Sequence, residues 1–112
     1  MNAEELRLYC LSLPEVEEGF PFGPETLVFK SGGKIFLLMS LDAQPLQFNV
    51  KCDPELAIEL RDQYDSIRPG YHMNKRHWNT IVVDNTLTAK QIKEQVKHSY
   101  ELISGAKKKK KA

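Results

Sequence analysis

The chain has 112 residues, of which 41% are hydrophobic and 28% charged, and this is the size and composition of one globular domain. These values exclude a fibrous repeat and a wholly disordered chain, and no apolar run approaches the roughly 20 residues of a membrane-spanning helix. The first residues, MNAEELRLYC, are acidic and amphipathic, unlike a secretion signal, so we expect a cytoplasmic protein. Cys10 and Cys52 lie far apart without metal-ligand spacing, which favours free thiols.

Charge is distributed unevenly along the chain. The formal net charge of +1 includes five lysines at 107–111, and without them 11 cations stand against 15 acids. The segment 66–83 differs from the rest because it contains three cations and no acid. We therefore expect one acidic domain over 1–105 and a flexible, lysine-rich tail over 106–112. An acidic domain with one basic segment is a weak pattern for a nucleic-acid-binding protein.

The first part of the chain predicts a helix followed by a loop. Asn2 and Glu5 have the spacing of a capping box, and the apolar residues that follow recur at helical intervals. Pro14 ends this helix. The stretch EVEEGFPFGPE, with two prolines and two glycines, predicts a loop whose Phe20 and Phe22 fold back onto the core.

Three strands are predicted next. The segment TLVFK-SGG-KIFLLMSL reads as a hairpin, because Ser-Gly-Gly supplies the positive φ that a tight turn requires. Its second strand, 35–41, is apolar on both faces and is expected at the centre of the sheet. After a turn at DAQP, the segment LQFNVK alternates apolar and polar residues and predicts the third strand.

The remaining elements follow from capping signals and apolar periodicity. Asp53 and Pro54 predict the start of a second helix, which is expected to run to about Tyr64. The segment NTIVVD predicts a strand, and Thr88 with Gln91 predicts the cap of a last helix. The predicted order is α-β-β-β-α-β-β-α. This order indicates an α+β fold with an antiparallel sheet of about five strands and helices packed on it.

The stretch IRPGYHMNKRHWNT, residues 67–80, holds two of the three histidines, the single tryptophan and three cations. Its Arg-Pro-Gly sequence at 68–70 predicts a break in the incoming strand, since proline cannot donate to a sheet ladder. Asn74 predicts the cap of a short helical turn. Trp78 is then expected to face inward and fill a corner of the sheet, and the functional alternative is a stacking platform for a base.

His72 and His77 raise the question of a metal or catalytic site. Zinc needs about four ligands, or three and a water, and neither cysteine lies near these histidines. Nucleophilic catalysis needs a serine or cysteine beside a histidine that a carboxylate holds, and no such motif occurs. The sequence therefore predicts no metal, no cofactor and no enzymatic activity. A small-molecule pocket around His72, His77 and Trp78 remains as an alternative.

From DPELAIELRDQYDSI onward, the chain resembles the MmcQ/YjbR family of small bacterial proteins. The resemblance covers nearly the whole chain, and its most specific part is the Asn-Lys-x-His-Trp core at 74–78. It implies an α+β fold with an antiparallel sheet, similar to secretion-chaperone and frataxin-like arrangements. It also implies a predicted DNA-binding protein with a "double-wing" motif and no agreed catalytic residue. The matching residues are Pro54, Glu55, Leu56, Arg68, Pro69, His72, Asn74, Lys75, His77, Trp78, Ser99 and Tyr100.

Two functional hypotheses follow. In the first, the protein binds nucleic acid through phosphate contacts from basic side chains at the predicted hairpin, in the 67–80 stretch and in the tail. In the second, it is a protein-interaction or self-association module that uses its sheet face and its acidic helices. The residues predicted for the first hypothesis are Lys30, Lys34, Arg68, Lys75 and Arg76, together with the lysines at 107–111.

Overall fold

The computed structural model describes residues 1–71 and 73–104, so His72 and the lysine-rich segment lie outside the described residues. The described chain forms one six-stranded antiparallel sheet in the order β1-β2-β3-β4-β6-β5, with three helices. The α+β prediction is therefore confirmed. The elements are α1 (Ala3–Leu11), β1 (Val16–Gly19), β2 (Thr26–Ser31), β3 (Lys34–Ser40), β4 (Gln47–Lys51), α2 (Pro54–Gln63), β5 (Ile67–Pro69), β6 (Trp78–Val82) and α3 (Ala89–Ser104).

Strand β1 was not predicted, and it raises the strand number from about five to six. The prediction of a loop was wrong here because this short segment lacks an alternating pattern of apolar residues. Backbone pairing holds it instead, with Val16 opposite Ser31 and Gly19 opposite Val28 on β2. The edge position of β1 explains its polar sequence, since charged residues protect an exposed edge from unwanted pairing.

The two phenylalanines that follow β1 do not fold onto the core. The side chains of Phe20 and Phe22 are 51% and 64% exposed, so the prediction that they pack inward was wrong. The chain turns directly after the strand, where the amide of Gly23 donates to the carbonyl of Phe20. Since β1 is an edge strand, this turn has the sheet on one side only and leaves both rings at the surface.

The three helices build one hydrophobic core on one face of the sheet. Strand residues Leu37, Phe48 and Ile81 join Leu6 of α1 and Val96 of α3 in a single buried cluster. Alternation along β4 places Phe48 and Val50 in this cluster and Asn49 and Lys51 on the opposite face, as the pattern of LQFNVK predicts. The central position expected for the apolar strand is also confirmed, because β3 lies third in the sheet.

The capping predictions are confirmed at all three helix starts. Asn2 and Glu5 exchange both hydrogen bonds of a capping box, and Asp53 accepts from the Leu56 amide. Thr88 and Gln91 make the same reciprocal pair before α3. Helix boundaries can be read from these few residues because a cap needs only local partners. No helix within the described ranges has both the length and the apolar character needed to cross a bilayer.

Both cysteines are free and buried, as the sequence predicts. Burial raises the pKa of the Cys10 thiol to about 12 and that of the Cys52 thiol to about 11. Since the thiolate is the reactive form, both side chains behave as small apolar residues of the core at neutral pH.

A buried serine of α3 joins the helix to two strands. The hydroxyl of Ser99 donates to the Phe36 carbonyl at 2.6 Å and accepts from the Lys51 amide at 2.8 Å. The neighbouring Tyr100 packs edge-on against Phe36, and its hydroxyl donates to the Pro14 carbonyl at 2.7 Å. These bonds hold α3 against the sheet next to Leu37 and Val50, where the pairing of β3 with β4 ends.

Candidate nucleic-acid interface

The β2–β3 and β5–β6 connections of the sheet project from the same end. Strand β4 is antiparallel to β3 and to β6, so Lys51 at the end of β4 lies level with the starts of both neighbours. The β2–β3 hairpin turns there at Gly32 and Gly33, whose φ values of 59° and 80° confirm the predicted glycine turn. The segment 70–77, between β5 and β6, emerges at this same end.

Five cations from four chain segments gather at this end, and we call them the basic end. Lys34, Lys75 and Arg76 are exposed, and Lys30 and Lys51 are half-buried. Three strand spacings separate β2 from β6, or about 14 Å at the usual spacing between neighbouring strands. Among the described residues, no ion pair engages any of the five. Their charges are therefore available to a ligand.

Acidic residues are interspersed at the basic end. Glu17 lies opposite Lys30 in the β1–β2 register, and Glu15 lines the same cleft as Lys34. Glu55 lines a second cleft beside Arg76. The surface at each of the two tips is therefore mixed, with at least one carboxylate close to its cations.

Arg68 is not brought together with the other predicted cations. Its Nε donates to the Asp65 carbonyl at 3.1 Å, which lies before β5 at the other end of the sheet. The pKa of Asp84 is lowered mainly by hydrogen bonds from Thr86, with a small contribution from the charge of Arg68. Asp65 precedes β5 and Asp84 follows β6, so both neighbours of the Arg68 guanidinium lie at the other end of the sheet, away from the basic end.

Local hydrogen bonds shape the segment that carries Lys75 and Arg76. The Asn74 side chain accepts from the Arg76 amide at 2.9 Å, and its carbonyl accepts from the amides of His77 and Trp78. The predicted cap at Asn74 is thus confirmed, in the form of an Asx-turn. The Nζ of Lys75 donates to the Gly70 carbonyl at 3.2 Å and closes the segment across its base.

Arg61 supports this turn from α2, and sequence reasoning missed it. Its Nε donates to Asn79 Oδ1 at 2.8 Å, and its Nη2 donates to the carbonyls of Trp78, at 3.0 Å, and of Lys75. A signal existed, because Arg61 is the one cation among five acids in the segment 53–65. Lys51 was also missed, since it reads as an ordinary outward residue of its strand.

Trp78 does not join the main core. It is half-buried and pairs with Lys51 in the register, on the face opposite the hydrophobic cluster. The expectation that it faces inward was therefore wrong, because β6 presents Asn79 and Ile81 to the helices instead. Trp78 still anchors the bend, since Gly70 lies against it so closely that an added Cβ would come within 2.8 Å of the Trp78 Cβ.

The small-molecule pocket around His72, His77 and Trp78 stays a prediction. The His77 side chain is exposed, and its carbonyl accepts from the Cys52 amide at 2.8 Å. His72 lies outside the described residues. Within residues 1–71 and 73–104, no group of three His, Cys, Asp or Glu side chains is arranged to hold a metal ion.

Comparison with known proteins places this architecture in a family. The YjbR family model matches residues 11–102. The chain belongs to the YjbR family. It is 41% identical to the uncharacterized protein YbdF of Escherichia coli O157:H7 over 101 residues, which cover 89% of this chain and 82% of that one. The identity to the uncharacterized protein YjbR of Escherichia coli K12 is 32%, with coverages of 90% and 86%.

Solved structures of relatives share the fold of this YjbR-family chain. The crystal structure of Deinococcus radiodurans protein DR2400, with its DUF419 domain, has a TM-score of 0.88 and 41% identity and covers 92% of this chain and 78% of that one. A protein from Pseudomonas syringae has a TM-score of 0.80 and 27% identity, with coverages of 91% and 98%. The resemblance seen in the Asn-Lys-x-His-Trp core is thereby confirmed.

Proposed function

We propose that this chain binds nucleic acid without catalysing a reaction and that the basic end is its contact surface. One observation carries the proposal: strand pairing gathers cations from separate segments on two hairpin tips at one end of the sheet. Lysine and arginine contacts to phosphates supply affinity that does not depend on base sequence. The two tips stand about 14 Å apart, which suits contacts to more than one phosphate of a duplex.

The last described residue, Ser104, lies beside one of these tips. Ser104, at the end of α3, lines a cleft of about 600 Å³ together with Gly32 and Lys34 of the hairpin. In the sequence, the first of five lysines follows only three residues later. Three residues of chain span at most about 11 Å, so a contribution of these lysines to the same contact is part of the proposal and is tested separately below.

Charge removal at the two tips is expected to weaken duplex binding and reduce its salt dependence. In the full-length chain, Lys34→Gln with Lys75→Gln removes one cation from each tip. The slope of log K against log salt should fall in magnitude by about 1.8, since each lost phosphate contact contributes about 0.9. Fluorescence anisotropy of a labelled duplex at several salt concentrations measures both affinity and slope.

A matched double variant controls for the loss of net charge. Lys90→Gln with Lys97→Gln removes two exposed lysines of α3, outside the basic end, and should leave the slope within error of the original chain. Replacing the lysines at 107–111 by glutamine separates the tail from the tips. The proposal fails if the original chain shows no binding at low salt, or if only the tail substitutions weaken binding.

A second candidate function is self-association or protein interaction, and a different surface favours it. A cleft of about 480 Å³ at the other end of the sheet is lined by apolar residues that include Leu27 and Met39, together with the ion pair of Arg7 and Glu18. Phe20 and Leu41, 51% and 40% exposed, stand at this cleft beside the edge strand β1. Exposed apolar side chains beside such a cleft can contact a partner molecule.

Under this second candidate, Phe20→Ser with Phe22→Ser should lower the mean mass of the protein at high concentration. Removing the two rings takes apolar area from the contact, while the core is unaffected because both are exposed. Light scattering over a concentration series provides the measurement. Ile58→Ser, at a residue 67% exposed on α2, is the control. A monomeric mass at every concentration of the original chain would exclude self-association.

A further inference from the structure

Two arginines share a cleft at the basic end. Arg61 and Arg76 line a cavity of about 350 Å³ together with Pro54, Glu55 and Ile58. The first two turns of α2 form one wall, and the turn that carries Arg76 forms the other. The cleft is therefore adjacent to the exposed Lys75 and opens at the surface proposed to meet nucleic acid.

The hydrogen bonds of Arg61 leave only the Nη1 amino group of its guanidinium unused. Nε and Nη2 make three bonds, to Asn79 and to the carbonyls of Lys75 and Trp78. No described group accepts from Nη1, and none accepts from the side chain of Arg76. The three bonds from Nε and Nη2 hold the planar guanidinium of Arg61 in a fixed orientation, which lowers the entropy cost of a further contact.

We propose that Arg61 and Arg76 together form a binding site for one phosphate group. The inference rests on the proposed function, in which this group is a phosphodiester of the nucleic-acid backbone. The guanidinium of Arg76 can match phosphate oxygens with paired, charge-assisted hydrogen bonds, and Nη1 of Arg61 can donate to the same phosphate from another side. Arg61 acts as the fixed partner, and the exposed Arg76 closes on the ligand.

The charges around the cleft favour an anion. Glu55 is the one carboxylate among its lining residues, so the two guanidinium groups leave a net positive charge. Helix α2 begins at Pro54, and the amino-terminal end of its dipole adds positive potential at the same place.

The test uses the full-length chain and two probes. In the first arm, a labelled duplex is titrated against the original chain, Arg76→Gln and Arg68→Gln. Arg76→Gln should weaken binding about 10-fold and reduce the salt slope by about 0.9, while Arg68→Gln, whose guanidinium leans to the other end, should change neither. In the second arm, inorganic phosphate is titrated while the Nε–Hε resonance of Arg61 is followed by NMR.

The two arms distinguish free phosphate from a phosphate of the nucleic-acid backbone. They also distinguish failure of the phosphate site from failure of the proposed function. A shift of the Arg61 resonance on phosphate addition that disappears in Arg76→Gln supports the site. If no duplex binds, the same shift supports a site for free phosphate. Duplex binding that Arg76→Gln leaves unchanged overturns the site but preserves the proposed function. An Arg61 resonance that responds to neither probe overturns the site. Arg76→Lys, which keeps the charge but loses the paired geometry, should recover only part of the affinity.

Discussion

Replacing Arg61 by methionine is expected to lower the free energy of unfolding by about 3 kcal/mol. Methionine retains most of the apolar stem but loses all three hydrogen bonds to the 75–79 segment. The largest cost arises at Asn79, which is fully buried and whose Oδ1 would lose the donor that Arg61 supplies. A buried acceptor without a partner costs its full desolvation penalty.

Chemical denaturation followed by circular dichroism measures this loss. Arg76→Met is the matched control, since its side chain is exposed and no described group accepts from it, and it should change stability by less than about 0.5 kcal/mol. A second test adds Asn79→Leu to the Arg61→Met chain. Removing both partners should lower the free energy of unfolding less than removing Arg61 alone, because no buried Asn79 amide is then left without its donor. Equal stabilities of the Arg61 and Arg76 variants would contradict the supporting role of Arg61.

Gly70→Ala is expected to destabilise the fold by about 2 kcal/mol through steric conflict. An added Cβ would lie 2.8 Å from the Cβ of Trp78 and 2.9 Å from its carbonyl oxygen. Neither atom is the flexible end of a side chain, so the strands β5 and β6 must separate. The separation would also stretch the 2.8 Å hydrogen bond from the Gly70 amide to the Trp78 carbonyl.

Gly19→Ala provides the control for Gly70→Ala. An added Cβ at Gly19 meets nothing within 4 Å, and its strand is at the sheet edge. The free energy of unfolding of this variant should lie within about 0.5 kcal/mol of that of the original chain. Amide hydrogen exchange should localise the effect of Gly70→Ala to β5, β6 and the turn between them. Unchanged protection of the Trp78 region in the Gly70 variant would show that the bend tolerates a methyl group.

The helices were predictable from sequence because their signals are local. Asn2, Asp53 and Thr88 each satisfy free amides of their own first turn, so the residues that decide the start of a helix lie within four positions of it. The hairpin at Gly32 and Gly33 was predictable for the same reason, since positive φ is a property of the residues themselves.

Strand β1 and the orientation of Trp78 were not predictable in this way. Val16 to Gly19 forms a strand only because β2 offers its edge, and that edge exists only in the folded sheet. The alternation along β6 could have placed either Trp78 or Asn79 toward the helices. Arg61, which lies on a helix 18 residues before Asn79 in the chain, holds Asn79 on the inner face.

The sequence by itself determined the α+β class, the helix starts, the glycine hairpin, the free thiols and the basic character of residues 66–83. Tertiary structure alone decided which charges act together. It brings Lys34, Lys51 and Arg76 to one end of the sheet, turns Arg68 toward the other, and sets Arg61 beside Arg76. The physical reason is that caps and turns depend on neighbours within a few residues, whereas the grouping of side chains depends on strand order and register.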